Sequence, residues 1–138
     1  MKYVRMHSAY SRDILRDENY PENIIEAVYH HHENYDGSGY PDGLKGTDIP
    51  EMSRILRTCD VFSALITNRS YRKAFDKKTA MAIMIDEVED YDMEVFLAFQ
   101  RVFHDDKFPE IRNLQDMASE IQMENLKVFE EEALKGNY

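Results

Sequence analysis

The hydrophobic residues near the start of the chain recur at the spacing of α-helices. Residues 2–16 predict a first helix, and Pro21 suits the first turn of a second, where its missing N–H is not needed. The apolar positions of the first helix are Val4, Tyr10, Ile14 and Leu15. The predicted apolar face of the second helix comprises Ile24, Ile25, Val28 and the positions of His31 and His32. The chain therefore begins with two amphipathic helices, the second ending in histidines.

The helical period stops over residues 34–50. This stretch holds four of the five glycines of the chain, at positions 37, 39, 43 and 46, and two prolines, at positions 41 and 50. Glycine permits turns with positive φ and close approaches of the backbone. A long loop in a compact domain is typically functional or disordered. The embedded Tyr35, Tyr40, Leu44 and Ile49 favour an ordered loop.

Helical spacing resumes after Pro50 and continues to the end of the chain. A third helix is predicted over residues 51–68, a fourth over 77–89 with Asp76 as N-cap, and a fifth over 93–103 capped by Asp92. The apolar stripe of the third helix comprises Met52, Ile55, Leu56, Cys59, Phe62 and Ile66. A last amphipathic segment follows Pro109, with Leu114, Met117, Ile121, Leu126, Phe129 and Leu134 on one face. No strand pattern is present, so the predicted fold class is all-α.

Composition narrows the possible functions. The chain has 138 residues, a formal net charge of −10 and one cysteine, Cys59. This length fits one ordinary domain. An acidic surface disfavours binding to a nucleic-acid polymer, and no apolar run approaches the roughly 18 residues of a membrane span. The lone cysteine and the absence of an apolar leader pattern favour a cytoplasmic location.

Histidines and carboxylates supply the candidate chemistry. His30, His31 and His32 are consecutive, His7 lies on the first predicted helix, and Asp60 lies beside the apolar stripe of the third. Neutral imidazole is a common ligand of transition metals. Taken singly, each residue also fits a plainer role: a surface histidine, an exposed helix end, or an aspartate bonded to a neighbouring helix terminus. Spacing alone leaves these alternatives open.

The glycine loop is more specific. Residues 31–46 read HHENYDGSGYPDGLKG and closely resemble the HD-GYP signature, HHExxDGxGYPxGLxG. The resemblance continues in family order through Ile49-Pro50, the residues 54–56, 60–62 and 64–65, and the block 69–74, and it spans roughly residues 4–103. Residues 1–103 are thus expected to form a partial HD-GYP domain, an HD-domain-like helical bundle with a long ordered loop. Residues 104–138 are expected to form a C-terminal helical extension.

The resemblance implies a metal-dependent phosphodiesterase module for cyclic di-GMP or a related cyclic dinucleotide. It implies iron or manganese, with His7, His31, His32 and Asp60 matching the metal ligands of the family. Arg69 and Arg72 match basic positions near the substrate phosphates. Gly39, Tyr40 and Pro41 form the GYP element, which lies near the ligand pocket and in some members contacts a diguanylate cyclase (GGDEF) domain.

One departure from the family bears on catalysis. The His-Asp pair that names the family precedes the helix of His7 in other members, whereas here the only His-Asp dipeptide is His104-Asp105, at the other end of the domain. Without the bridging aspartate we expect a single ion or none, and no catalytic residue is assigned. A smaller departure is Ser63, where the family usually has aspartate.

Four interpretations follow from that departure. The module is catalytically impaired on its own, or it works with a His-Asp helix from another chain, or it is a fragment of an ordinary enzyme. The fourth is a non-catalytic module that binds a nucleotide or a partner, or serves in association. Helical faces that the family covers with N-terminal helices remain here, so the sequence also predicts a homodimer or a folded-back C-terminal segment.

Overall fold

The computed structural model describes residues 2–105, with side chains described from Met6 onward. Within this range the chain forms five α-helices and no strand, which confirms the predicted all-α fold. The helices are α1 (Lys2–Asp17), α2 (Glu22–Tyr29), α3 (Glu51–Leu65), α4 (Lys77–Asp86) and α5 (Met93–Phe103). Two short 3-10 turns, Gly46–Asp48 and Val88–Asp90, complete the regular structure.

The chain divides into two compact units, residues 1–99 and 100–138. The predicted amphipathic segment beyond Pro109 lies outside the described residues, and so does most of the predicted C-terminal extension. A domain boundary after residue 103 therefore stays a prediction.

The helices of the first unit pack in chain order. α1 packs against α2, α2 against α3, and α3 against α4. Their shared apolar core includes Ile25, Ala27, Phe62, Ala80 and Met84, each at most 4% exposed. These residues come from three consecutive helices, so the core holds α2 and α3 in a fixed relation. The histidine-bearing turn and the glycine loop both lie between those two helices in sequence.

Both predicted N-caps are confirmed. The Asp76 carboxylate accepts the N–H of Thr79 at 3.0 Å at the start of α4. The Asp92 carboxylate accepts the N–H of Glu94 at 2.8 Å at the start of α5. Each aspartate satisfies an N–H that the helix itself leaves unpaired.

The predicted ends of α3 and α4 are wrong by a few residues. α3 ends at Leu65 because the Leu65 carbonyl accepts the N–H of Phe75 at 2.9 Å and the Arg72 guanidinium at 3.2 Å. A side chain from beyond the helix thus takes the place of the next helical turn. α4 ends at Asp86 and gives way to the turn Val88–Asp90.

The predicted placement of two histidines on the face of α2 is also wrong. α2 ends at Tyr29, and His31 and His32 lie in the turn that follows. The Nδ1 atom of His31 bonds the Val28 carbonyl, and the N–H of Glu33 bonds the His30 carbonyl at 3.0 Å. These bonds replace the continuing helical ladder and turn the histidines away from the helix axis.

The apolar stripe predicted for α3 is largely exposed. Met52, Ile55 and Leu56 are 41%, 44% and 40% exposed, whereas Ser53 and Thr58 are fully buried. The Ser53 hydroxyl donates to the Ala27 carbonyl at 3.0 Å, so a small polar residue makes this contact with α2. Phe62 is the member of the stripe that is fully buried. The prediction was wrong because hydrophobic periodicity does not register how closely small side chains let two helices approach.

Candidate metal centre

Three histidine side chains from two segments meet in this structure. His7 comes from α1, and His31 and His32 come from the turn after α2. The Nε2 atoms of His7 and His32 are 2.7 Å apart, and a nitrogen from each ring lies within 4.8 Å of the other two. Two nitrogens bound at right angles to one metal, each at about 2.1 Å, are separated by about 3.0 Å. The three rings, the histidine trio, therefore lie close enough together to be candidate ligands of a single ion.

The hydrogen bonds around His31 fix which of its nitrogens faces the trio. Nδ1 lies 2.5 Å from the Val28 carbonyl oxygen. A carbonyl oxygen can only accept, so Nδ1 carries a proton and donates it to Val28, which leaves Nε2 as the nitrogen that can bind an ion. Histidines that bind metals are commonly held by a bond of this kind from the other ring nitrogen. The end of α2 thus orients His31 before any ion binds.

The surroundings of His32 favour its neutral form. Burial, together with the nearby imidazoles of His31 and His7, lowers the pKa of His32 to about 4, against a smaller opposing effect of Asp60. At neutral pH the ring is therefore uncharged and its lone pair is available. A metal ligand must be deprotonated, and this histidine needs no proton displaced near pH 7. Imidazole ligands suit a divalent transition metal.

Asp60 lies near the trio but outside it. It is exposed on α3 and lines an open pocket together with Val28, His31, Leu56, Cys59 and Ser63. Among the described residues, the cluster of potential ligand atoms within 4.8 Å of one another holds the three histidines without Asp60. A metal-ligating role for Asp60 stays a prediction.

The GYP element lies directly against the trio. The Tyr40 ring stacks on the His32 ring with centroids 4.9 Å apart and planes inclined by 21°. The N–H of Tyr40 donates to the His32 carbonyl at 3.2 Å, and the peptide bond between Tyr40 and Pro41 is cis. A Cβ atom at Gly39 would lie 2.5 Å from that same carbonyl oxygen, so only glycine fits. Substrate contacts for Gly39, Tyr40 and Pro41 stay predictions.

The two predicted phosphate-binding arginines lie beyond the end of α3. Arg69 is exposed, and its backbone pairs with that of Arg72. The Arg72 guanidinium donates to the carbonyls of Ala64 and Leu65 at 2.8 and 3.2 Å and lies 4.5 Å from the centroid of the Phe75 ring. In this structure Arg72 therefore caps a helix, and phosphate binding by either arginine stays a prediction.

Sequence reasoning missed a basic residue nearer the trio. Arg57 on α3 donates from Nε to the Asn34 side chain at 2.9 Å. Its charge lies close enough to contribute to the lowered pKa of His32. Arg57 precedes Asp60 by about one helical turn. That spacing could have predicted from the sequence that Arg57 lies near the site.

Two buried polar residues of the same turn were also missed. Glu33 is 1% exposed, and its carboxylate accepts the backbone N–H groups of Asp42, Gly43 and Leu44 at 2.7, 3.1 and 3.1 Å. His30 is 6% exposed, with Nε2 3.0 Å from the Asp42 carboxylate. Glu33 stands inside the HD-GYP-like signature, but its role depends on loop closure that the sequence does not display.

Comparison with known proteins places this architecture in a family. A family model described as HD domain matches residues 1–95. The chain belongs to the HD domain family, and the glycine loop with its adjacent histidines places it among the HD-GYP proteins of that family.

Several characterised proteins share this part of the sequence. The 3'3'-cGAMP-specific phosphodiesterase 3 of Vibrio cholerae is 36% identical over 102 residues, which cover 73% of this chain and 22% of that protein. The cyclic di-GMP phosphodiesterase response regulator RpfG of Xanthomonas campestris is 52% identical over 54 residues, 39% of this chain and 14% of that protein.

Solved structures show the same fold. A cyclic GMP-AMP specific phosphodiesterase of V. cholerae superposes with a TM-score of 0.69 at 19% identity, over 88% of this chain and 28% of that one. An HDGYP protein from Bdellovibrio bacteriovorus gives a TM-score of 0.61 at 19% identity, over 74% of this chain and 32% of that one. The chain thus spans between 14% and 32% of the length of these relatives. None of the helices described is long and apolar enough to cross a membrane.

Proposed function

We propose that this chain is the metal-binding part of an HD-GYP phosphodiesterase that acts on a cyclic dinucleotide. The observation that supports the proposal best is the histidine trio, with the Nε2 atoms of His7 and His32 2.7 Å apart. The relatives described above are named for cyclic di-GMP and 3'3'-cGAMP, which share two 3'–5' phosphodiester bonds and differ in one base. The substrate class is therefore a cyclic dinucleotide, with cyclic di-GMP the first to test.

The trio would hold one divalent ion, iron or manganese by resemblance to the family. A bound ion would polarise a phosphodiester oxygen and lower the pKa of water, the usual contribution of a metal to hydrolysis. The chain itself orients His31 through the Val28 carbonyl and keeps His32 neutral through burial. Asp60 would add a carboxylate from α3, and Arg57 a positive charge near the phosphates.

Catalysis by this chain alone is proposed to be weak. Among residues 2–105, no aspartate joins the three histidines as the family's bridging aspartate would, and the dipeptide His104-Asp105 is exposed. One ion cannot clamp both the attacking and the leaving oxygen, which is what a two-metal site adds. Full activity would require a carboxylate from outside the residues described.

Two partner interactions accompany this proposal. Contact with a GGDEF domain through the GYP element follows from family resemblance. A homodimer is supported by the exposed residues Met52, Ile55 and Leu56 on α3. Size-exclusion chromatography with light scattering would test the dimer, and a concentration-independent monomer would contradict it. The proposed location is the cytoplasm, where nucleotide second messengers act.

Metal content and hydrolysis, measured together, test the proposal. The chain is purified without oxygen, supplied with Fe(II) or Mn(II), analysed for bound metal, and assayed with cyclic di-GMP and 3'3'-cGAMP. We expect about one ion per chain, lost in His32→Ala and kept in His104→Ala, a matched change at an exposed histidine. Well under one ion per wild-type chain would contradict the metal site. Rapid hydrolysis by the isolated chain would contradict weak catalysis.

A further inference from the structure

The turn after α2 carries a second polar cluster, made of other residues than the histidine trio. His30, Glu33 and Asp42 lie together, with one potential ligand atom from each within 4.8 Å of the others. We call this cluster the loop clamp. His30 and Glu33 are almost fully buried, whereas Asp42 is exposed. Buried polar groups are costly unless they are bonded, so the bonds of the clamp account for its place in the fold.

The bonds of the clamp tie the glycine loop to the turn after α2, and that turn to α2 itself. His30 bonds the Asp42 carboxylate through Nε2 at 3.0 Å, while Nδ1 lies 3.3 Å from the Glu26 carboxylate. Glu33 accepts three consecutive backbone N–H groups, from Asp42, Gly43 and Leu44. Hydrogen bonds to an ionised carboxylate are roughly twice as strong as neutral ones. The loop is therefore held at one point by charge-assisted bonds.

Asp42, where the clamp holds the loop, lies two residues from Tyr40, whose ring stacks on His32. Tyr40 precedes Asp42 with only Pro41 between them, so fixing Asp42 leaves Tyr40 little freedom. Tyr40 stacks on His32 and bonds its carbonyl. Glu33 is also the neighbour of His32 in the chain, so the clamp reaches the trio from both directions.

We infer that the loop clamp is a positioning device: it holds the Tyr40 ring on the His32 imidazole and thereby sets the orientation of this metal ligand. The effect on metal binding rests on the proposed function, whereas the position of the Tyr40 ring on His32 does not. Glu33 carries the largest part, because its carboxylate satisfies three N–H groups that nothing else described in the loop accepts. Supporting groups that orient a metal ligand typically change metal affinity about 10–100-fold when they are removed.

The test compares Glu33→Gln and Asp42→Asn with Asp48→Asn, which removes an exposed carboxylate elsewhere in the same loop. In the metal-free chain of 138 residues, proton NMR measures the ring-current shift of the His32 ring protons, and hydrogen exchange measures protection of the amides at 42–44. Calorimetry then measures Mn(II) affinity. We expect Glu33→Gln to lose the ring-current shift and the protection and to weaken Mn(II) binding about 10–100-fold. Asp42→Asn should give a smaller change in the same direction, and Asp48→Asn none.

Three outcomes would overturn the inference. The first is a His32 ring-current shift that survives in Glu33→Gln and in Asp42→Asn. The second is loss of amide protection with Mn(II) affinity unchanged, which would make the clamp a purely structural element. The third is a second Mn(II) ion in the wild type that disappears in Asp42→Asn, which would make the cluster an ion site.

Far-ultraviolet circular dichroism shows whether Glu33→Gln folds. If it does not, the same measurements on the milder variant Asp42→Asn decide between these outcomes. A wild type that binds no Mn(II) would contradict the proposed function, while the ring-current comparison would still judge the clamp.

Discussion

His30 and His32 lie two residues apart in one turn and have opposite surroundings. His30 places its ring nitrogens against the carboxylates of Glu26 and Asp42. His32 places Nε2 against that of His7, and its neighbouring imidazoles and burial lower its pKa to about 4. The nitrogens of the first ring meet carboxylates, whereas Nε2 of the second meets another imidazole nitrogen and is the atom that we propose binds an ion. The neighbours of a histidine, more than its position in a motif, decide which chemistry it can do.

The two surroundings depend on each other through the glycine loop. The same loop contributes Asp42 to the clamp and Tyr40 to the stack on His32. A change that moves the loop should disturb both regions, whereas a change within one region should leave the other recognisable. Substitutions can therefore test how independent the clamp and the trio are.

The largest effect is expected from Gly39→Ala, which should disrupt both regions together. An added Cβ would lie 2.3 Å from the Asn34 nitrogen and 2.5 Å from the His32 carbonyl oxygen, and backbone atoms cannot move aside. We expect the free energy of unfolding to fall by about 3 kcal/mol, with loss of metal binding. Chemical denaturation and Mn(II) titration measure the two effects.

Gly46→Ala is the matched control for that experiment. A Cβ at Gly46 would meet no atom within 4 Å, so only its positive φ of 59° opposes alanine. This strain should cost about 1 kcal/mol. Equal denaturation midpoints for the two variants would contradict the close approach of the backbone at Gly39.

The next largest effect is expected from a substitution in the trio that leaves the clamp intact. His7→Ala removes a proposed ligand that comes from α1 and whose Nε2 lies against that of His32. We expect Mn(II) affinity to fall by more than the 100-fold upper range for supporting groups, because a ligand itself is lost. Hydrogen exchange at residues 42–44 should stay as slow as in the wild type. Faster exchange at those amides would show that the trio also supports the loop.

A substitution within the clamp should have an intermediate effect on metal affinity. His30→Gln removes the ring that bridges Glu26 and Asp42, and both carboxylates reach solvent. We expect metal affinity to fall about tenfold through the loosened loop, with Glu33 still holding its three N–H groups. Isothermal calorimetry checks this result. A loss as large as that of His7→Ala would mean that His30 is itself a ligand.

Sequence reasoning predicted much of the fold and part of the site. Five helices, two N-caps and an ordered glycine loop followed from periodicity and capping residues, which are local properties. The end of α3 did not follow, because it depends on Arg72, which returns to the helix from seven residues further along. The end of α2 did not follow, because the side chain of His31 bonds the Val28 carbonyl, and hydrophobic periodicity does not register such a bond. The exposed stripe of α3 was missed because Ser53 and Thr58, which read as polar, make the buried contact.

The site divides in the same way. The resemblance brought His7, His31 and His32 to attention, and the structure brings their nitrogens together. Glu33 was visible in the signature but had no predicted role, because its partners lie nine to eleven residues further along and reach it only when the loop closes. Contacts of that kind are produced by chain geometry and leave no periodic signal in the sequence.

The smallest effect concerns a carboxylate that, like Glu33, accepts backbone N–H groups, but at a helix start. Burial raises the pKa of Asp92, and the hydrogen bond from Arg54 with those from Val95 and Glu94 outweighs it, so the net pKa is lowered. A carboxyl whose pKa is lower in the folded state contributes stability above its unfolded pKa of about 3.9 and loses it as pH falls through the folded value. We expect the denaturation midpoint of the metal-free chain to decrease when the pH falls below about 4. This decrease should be smaller in Asp92→Asn. Asp105→Asn, at an exposed carboxylate, is the control. If Asp92→Asn loses as much stability at low pH as the wild type, N–H bonds at a helix start do not stabilise the Asp92 carboxylate. That result would weaken the argument that three N–H bonds make Glu33 the main anchor of the loop clamp.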